Sequence, residues 1–132
     1  MNVILSIKPC FCDSIFKGLK RYEYRKRVFN RSDVDKVYVY ASKPICKVIG
    51  YFTIGKLIND TVSRVWDMTH KYGGIDRKYY DSYFNGCDVA HAIKIDEARL
   101  FDEAIDPYIK LDKFHAPQNY MYVDIELEKL SV

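Results

Sequence analysis

The chain lacks any apolar run approaching the roughly 20 residues that a membrane-crossing helix requires. Its first residues, Met1-Asn2-Val3-Ile4-Leu5-Ser6, lack the basic start and cleavage site of a secretory signal. A soluble cytoplasmic protein with no membrane partner is expected. Residues that bind metals or form disulfides are also scarce, with four cysteines and three histidines. Only Cys10 and Cys12 are close in sequence, and neither a CxxC pair nor a paired-His spacing is present, so the usual zinc modules find no support. Cys10, Cys12, Cys46 and Cys87 therefore read as buried free thiols in a reducing compartment. His70, His91 and His115 are scattered, and no metal or cofactor is expected. No repeat, low-complexity segment or Pro/Gly-rich linker interrupts the sequence, so its 132 residues are read as one domain, 1–132.

Aromatic residues are abundant at 15%, and 12 of them are tyrosine, a residue suited to walls with one wet end and one buried face. The charge is unevenly placed. Lys17, Lys20, Arg21, Arg25, Lys26, Arg27 and Arg31 face a single acid, Glu23, between residues 17 and 31. That segment carries +6 in a chain of net +3, which leaves −3 for the rest. A basic island on an acidic body suits a local phosphate-binding surface, while a solvated, soluble face is the plainer explanation of such a run.

Val3 to Ile7 is apolar enough for a buried strand, which Pro9 stops. Cys12, Ile15, Phe16 and Leu19 recur at helical spacing, with Gly18 where the chain must reverse. From Arg21 to Val28 aromatic and basic residues alternate. A strand there sends Tyr22 and Tyr24 towards the core and Glu23, Arg25 and Arg27 to the other face. A turn at Asn30-Arg31-Ser32-Asp33 leads to a β-branched and aromatic strand, Val37 to Ala41, ended by Lys43-Pro44. Cys46 to Ile58 reads as a strand bent or bulged at Gly50 and Gly55.

The period then changes. Val62, Val65, Trp66 and Thr69 share a helical face capped by Asp60 or Thr61, and Gly73-Gly74 breaks it. A further helix is expected from Asp76 to Phe84, its aromatic stripe of Tyr79, Tyr80, Tyr83 and Phe84 assigned to core packing. Val89 to Ile95 alternates again and puts His91 on an apolar face, as a hydrogen-bonded core residue. Leu100 to Leu111 reads as irregular and broken by Pro107, and Tyr120 to Leu127 as the closing strand. Short strands with about three short helices predict an α+β domain built on a small, bent β-barrel.

The segment Gly18-x-Lys20-x-x-Glu23-x-Arg25 combines a turn glycine with three charges. Glu23 and Arg25 share a strand face, where a partly buried Arg keeps its neighbouring carboxylate ionised and the pair presents fixed donors and acceptors. Lys20 can swing to the same place, and proximity to Arg25 is expected to lower its pKa, which suits proton transfer or nucleophilic attack. A structural salt bridge on an exposed strand is the alternative.

This segment matches the GxKxxExR signature of the ASCH superfamily. Ser6-Ile7-Lys8-Pro9, Val37 to Ala41 and Ala116-Pro117-Gln118-Asn119-Tyr120 also resemble small bacterial and archaeal ASCH proteins, so the similarity runs along nearly the whole chain. The resemblance implies a PUA-like β-barrel whose signature lines a cleft, and RNA binding linked to translation or RNA metabolism. Some small members are similar to amidohydrolases acting on N4-acetylcytidine through a Lys, a Thr and a Glu. Their Lys corresponds to Lys20, but Glu23 stands at the Thr position and Gly73-Gly74 lies where their Glu would be sought. A few relatives are linked to ribonuclease activity.

Three expectations result. The first is a domain for RNA or a modified nucleotide-like ligand, with Lys8, Lys20, Arg25 and Arg27 on phosphate, Glu23 or Gln118 reading polar edges, Tyr40 or Tyr120 stacking on a base, and Gly18 forming the turn. The second is a nucleoside amidohydrolase or ribonuclease with Lys20 and Glu23 as the catalytic pair. The third is a protein-interaction module whose basic segment meets an acidic partner, expected if the signature forms a closed charge network without a cleft. The sequence leaves the oligomeric state open.

Overall fold

A computed structural model describes residues 1–130. Its strands are β1 (Asn2–Ile7), β2 (Tyr22–Arg25), β3 (Val37–Ala41), β4 (Lys47–Thr61), β5 (Val89–Ile105) and β6 (Tyr120–Val123). Its helices are α1 (Pro9–Phe16), α2 (Val62–Thr69), α3 (Arg77–Tyr83) and the single turn α4 (Pro107–Lys110), with 3-10 turns at His70–Tyr72 and Leu127–Lys129. The strands form one mixed sheet in the order β2-β5-β4-β3-β1-β6. β1 runs parallel to β3, and the remaining pairs are antiparallel.

Strand alternation divides the core. Val3, Leu5, Val37 and Val39 pack on one face with Cys12 and Ile15 of α1, while Ile4, Tyr38 and Tyr40 pack on the other with Phe114 and Leu127. Because both faces are covered, β1 and β3 read as nearly continuous apolar runs. A third cluster seats Tyr24 of β2 against Val65 of α2, Tyr80 of α3 and Phe84 just after it.

The α+β expectation holds, and four helices are present where three were foreseen. The sheet bends at register shifts near Gly50 and Gly55. At Gly50 the reason is space, since a Cβ would lie 2.3 Å from the Arg99 carbonyl oxygen and 2.8 Å from the Phe16 ring. The sheet nevertheless stays open: β2 and β6 are its two edges and do not pair with each other. Instead the Arg25 side chain spans the gap, from β2 to the Ser6 and Asn119 carbonyls.

Several boundaries differ for physical reasons. β2 ends at Arg25 rather than Val28, because the chain leaves the sheet to bury Phe29 beside Tyr120, with ring centroids 5.7 Å apart. α1 stops at Phe16, leaving Leu19 67% exposed. β5 continues to Ile105 along β4 with one side largely in solvent, so it shows no apolar alternation to read. The closing strand is shorter than expected, ending at Val123. Among the four thiols only Cys12 is buried, and Cys10 is exposed. No helix among the described residues is long and apolar enough to cross a membrane.

Candidate functional site

The reversal after α1 decides where Lys20 goes. Gly18 has φ +77°, a left-handed conformation that glycine adopts without steric cost, and the Leu19 and Lys20 amides both donate to the Ser14 carbonyl. Gly18 thus shapes the turn and does not line the cleft. The Lys20 side chain is carried inside and is only 2% exposed. Its Nζ donates to the Gly73 carbonyl at 2.6 Å, and lies 4.9 Å from the Tyr24 ring centroid and 5.3 Å from that of Phe11.

Gly73 and Gly74, expected to break a helix and lying where a catalytic Glu was sought, press directly on this group. A Cβ on Gly73 would fall 2.1 Å from the Tyr24 hydroxyl, and one on Gly74, where φ is +73°, would fall 2.8 Å from Lys20 Cβ. Only backbone without side chains can approach so closely.

β2 places Glu23 and Arg25 on one face, 4% and 8% exposed. Arg25 Nη1 donates to Glu23 Oε2 at 3.2 Å and to the Ser6 carbonyl at 3.1 Å, while Nη2 donates to the Asn119 carbonyl at 3.2 Å. Arg25 Nε is buried and has no partner among the described residues. Glu23 Oε1 lies 3.8 Å from Lys20 Nζ. The three signature charges therefore converge, and the exposed-strand alternative is replaced by a buried cluster. Burial lowers the Lys20 pKa from its ordinary value, opposed by the Glu23 charge. The direction is as expected, but its leading cause is desolvation rather than Arg25.

Above this floor opens a cleft of about 300 Å³. Phe11 and Tyr79 meet edge to face at 5.4 Å on one wall, and Tyr83 stands with its ring centroid 4.9 Å from Lys26 Nζ. Lys8 at the rim is exposed and donates to the Tyr79 hydroxyl at 3.2 Å, a bond that raises the Lys8 pKa. Burial raises that of Tyr83. Gln118 and Asn119 complete the rim.

Other expected residues lie elsewhere. Arg27 and Tyr120 belong to an adjoining, wider depression with His91, sharing Lys26, Gln118 and Asn119 with the cleft. Tyr120 is partly buried against Phe29. His91 is half-buried rather than in the core, its Nδ1 2.5 Å from Asn59 Oδ1. Tyr40 is withdrawn from the site entirely. It is buried in the Phe114 cluster with its hydroxyl 3.1 Å from that of Tyr108.

Conversely, Phe11, Tyr79 and Tyr83 are cleft residues that the sequence reading assigned to no site. Tyr79 and Tyr83 form one pair at i, i+4 on α3, and Tyr80 forms another with Phe84, which caps the helix. That doubled stripe is wider than a core face needs, and it was the signal available.

The fold is that of solved ASCH proteins. Residues 5–99 match the ASCH domain family, and the chain belongs to it. It is similar to an ASCH domain-containing ribonuclease of Zymomonas mobilis, 26% identical over 91 residues that cover 69% of this chain and 62% of that protein. It also resembles the large ribosomal subunit protein uL22 of Ureaplasma parvum, 29% identical over 70% of this chain but only 30% of that protein. The matches thus span less than two thirds of these relatives. The crystal structure of the Zymomonas mobilis ASCH protein superposes with a TM-score of 0.86 at 22% identity, covering 92% of this chain and 87% of that one.

Proposed function

We propose that the cleft binds RNA through one nucleotide unit, with the base between aromatic walls and the phosphates at the exposed rim. The observation that carries this is the buried Lys20–Glu23–Arg25 cluster beneath Phe11, Tyr79 and Tyr83, in a cavity at the lower end of the size range of small-ligand sites. Family membership supports nucleic-acid binding. Lys8 and Lys26 stand exposed at the mouth, with Arg27 beyond, and suit a flexible phosphate backbone. Stacking on such rings contributes about 1–3 kcal/mol per base. The cytoplasm is the compartment that fits this role.

Fluorescence anisotropy with a labelled short RNA tests the proposal. Affinity is expected to fall as salt rises, with Tyr83→Ala and Lys26→Ala each weakening it. No association at low salt would overturn it. A protein-interaction module resting on a closed charge network loses its basis here, because the cluster lies under an open cleft.

A second function, RNA cleavage, is favoured by the name of the Zymomonas mobilis relative and by the lowered Lys20 pKa, which brings that ammonium closer to general acid–base use beside Glu23. Cleavage of labelled RNA that vanishes in Lys20→Met supports it, and cleavage unchanged in that variant places the activity elsewhere. The amidohydrolase alternative is weaker, since the Lys20 ammonium is held by the Gly73 carbonyl where a carboxylate was sought.

A further inference from the structure

The cations of the cleft floor are already engaged. Arg25 gives Nη1 and Nη2 to two backbone carbonyls and to Glu23 Oε2, and Lys20 gives one proton to the Gly73 carbonyl. Between them sits a carboxylate. Its Oε2 is bonded to Arg25, whereas Oε1 faces Lys20 Nζ at 3.8 Å, longer than a hydrogen bond. A phosphate brought to this floor would meet that oxygen at short range in a poorly solvated place, where like charges repel strongly. A fitting occupant is instead neutral. It has an N–H to donate to Oε1 and, beside it, an acceptor for a remaining proton of the lysine ammonium, which carries three. The aromatic walls require that this group be planar. An N–H beside an acceptor on a planar ring describes the Watson–Crick edge of a base.

We infer that Glu23 and Lys20 together read the Watson–Crick edge of an unpaired nucleobase, with Glu23 Oε1 accepting from the base N–H and Lys20 Nζ donating to the neighbouring carbonyl or ring nitrogen, while phosphate stays at the rim. This rests on the proposed RNA-binding role and assigns the signature charges to the base. It reverses the expectation that Lys20 and Arg25 contact phosphate.

The test compares UMP, GMP and CMP with N3-methyl-UMP, N1-methyl-GMP and N4,N4-dimethyl-CMP by calorimetry on the intact protein, with ribose 5-phosphate as a competitor. In the tightest-binding pair, methylation is expected to weaken binding about tenfold or more, the scale of a hydrogen bond to a charged group. Ribose 5-phosphate should not displace the nucleotide. In Glu23→Gln, checked for folding by its thermal transition, the penalty for methylation should shrink to roughly threefold or less, because a neutral amide accepts more weakly. A merely steric penalty would persist unchanged in that variant. Equal affinity for methylated and unmethylated nucleotides in the wild-type protein, or displacement by ribose 5-phosphate, overturns the inference while leaving RNA binding intact. Failure of every nucleotide and of RNA to bind overturns the functional proposal itself.

Discussion

The Lys20 ammonium is held 2.6 Å from the Gly73 carbonyl oxygen, across 53 residues of sequence. This contact joins the signature to the loop after α2, and it sets both glycines there under steric demand. Gly74→Ala should destabilise the fold by about 2 kcal/mol or more, combining left-handed strain with a collision at Lys20. Gly18→Ala has similar backbone strain but open space around its Cβ, and should cost only about 1 kcal/mol. Urea unfolding of the two variants checks the difference.

Burial of Lys20 also makes stability depend on pH. Its folded pKa lies below the ordinary 10.5, so between those two values the unfolded chain binds the proton more tightly. Stability therefore rises with pH across that window. Lys20→Met lacks this contribution, and the wild-type protein should gain stability relative to it as the solution becomes alkaline. Unfolding curves taken up to about pH 9, before the unfolded tyrosines ionise appreciably, measure the slope.

Arg25 closes the sheet's open seam with its guanidinium. Arg25→Ala strands the Ser6 and Asn119 carbonyls and leaves Glu23 buried with only the distant Lys20. A loss of about 3 kcal/mol is expected, in the range for breaking a buried ion pair. Arg25→Lys should recover little, since one ammonium cannot reproduce the planar fork. Hydrogen exchange should quicken along β6.

The C-terminal turn is tied down by Lys36, which binds Glu126 and Glu128, and by Tyr38, which donates to Glu128. Lysine contacts lower both carboxyl pKa values, that of Glu126 to about 2, where the bond from Lys129 contributes most; for Glu128 the lowering prevails over a larger opposing effect of burial. Depressed carboxyl groups contribute stability above their ordinary value of 4.5 and lose it as pH falls through the folded values. The turn should loosen as pH drops from about 4.5 towards 2, followed by Tyr38 fluorescence, and Lys36→Met should reduce that dependence.

Tyrosines separate the cleft from the core. Tyr40→Phe removes one hydroxyl contact behind the sheet and should leave RNA affinity unchanged. Tyr83→Leu removes a cleft ring and should weaken binding by about 1 kcal/mol or more in the anisotropy assay.

Local chemistry was enough for much of this. The strands at Val3–Ile7 and Val37–Ala41, the cap at Thr61, the bends near Gly50 and Gly55, and the common face of Glu23 and Arg25 follow from short-range rules. The run of β5 from Leu100 to Ile105 escaped those rules because pairing with β4, not apolar alternation, holds it. Tyr40 misled for a related reason. Tyrosine composition does not tell which side of a sheet is covered, and Phe114, distant in sequence, covers that side.

The sequence by itself determined the α+β class, the family and the three signature charges, because periodicity, turn chemistry and a compact motif act over a few residues. Only the tertiary structure decided that the sheet stays open, that Arg25 bridges its seam, and that α1 and α3 supply aromatic walls above Lys20 and Glu23. Those arrangements depend on contacts such as Lys20 with Gly73 and Arg25 with Asn119, whose partners are brought together by the folded backbone and leave no periodic trace in the chain.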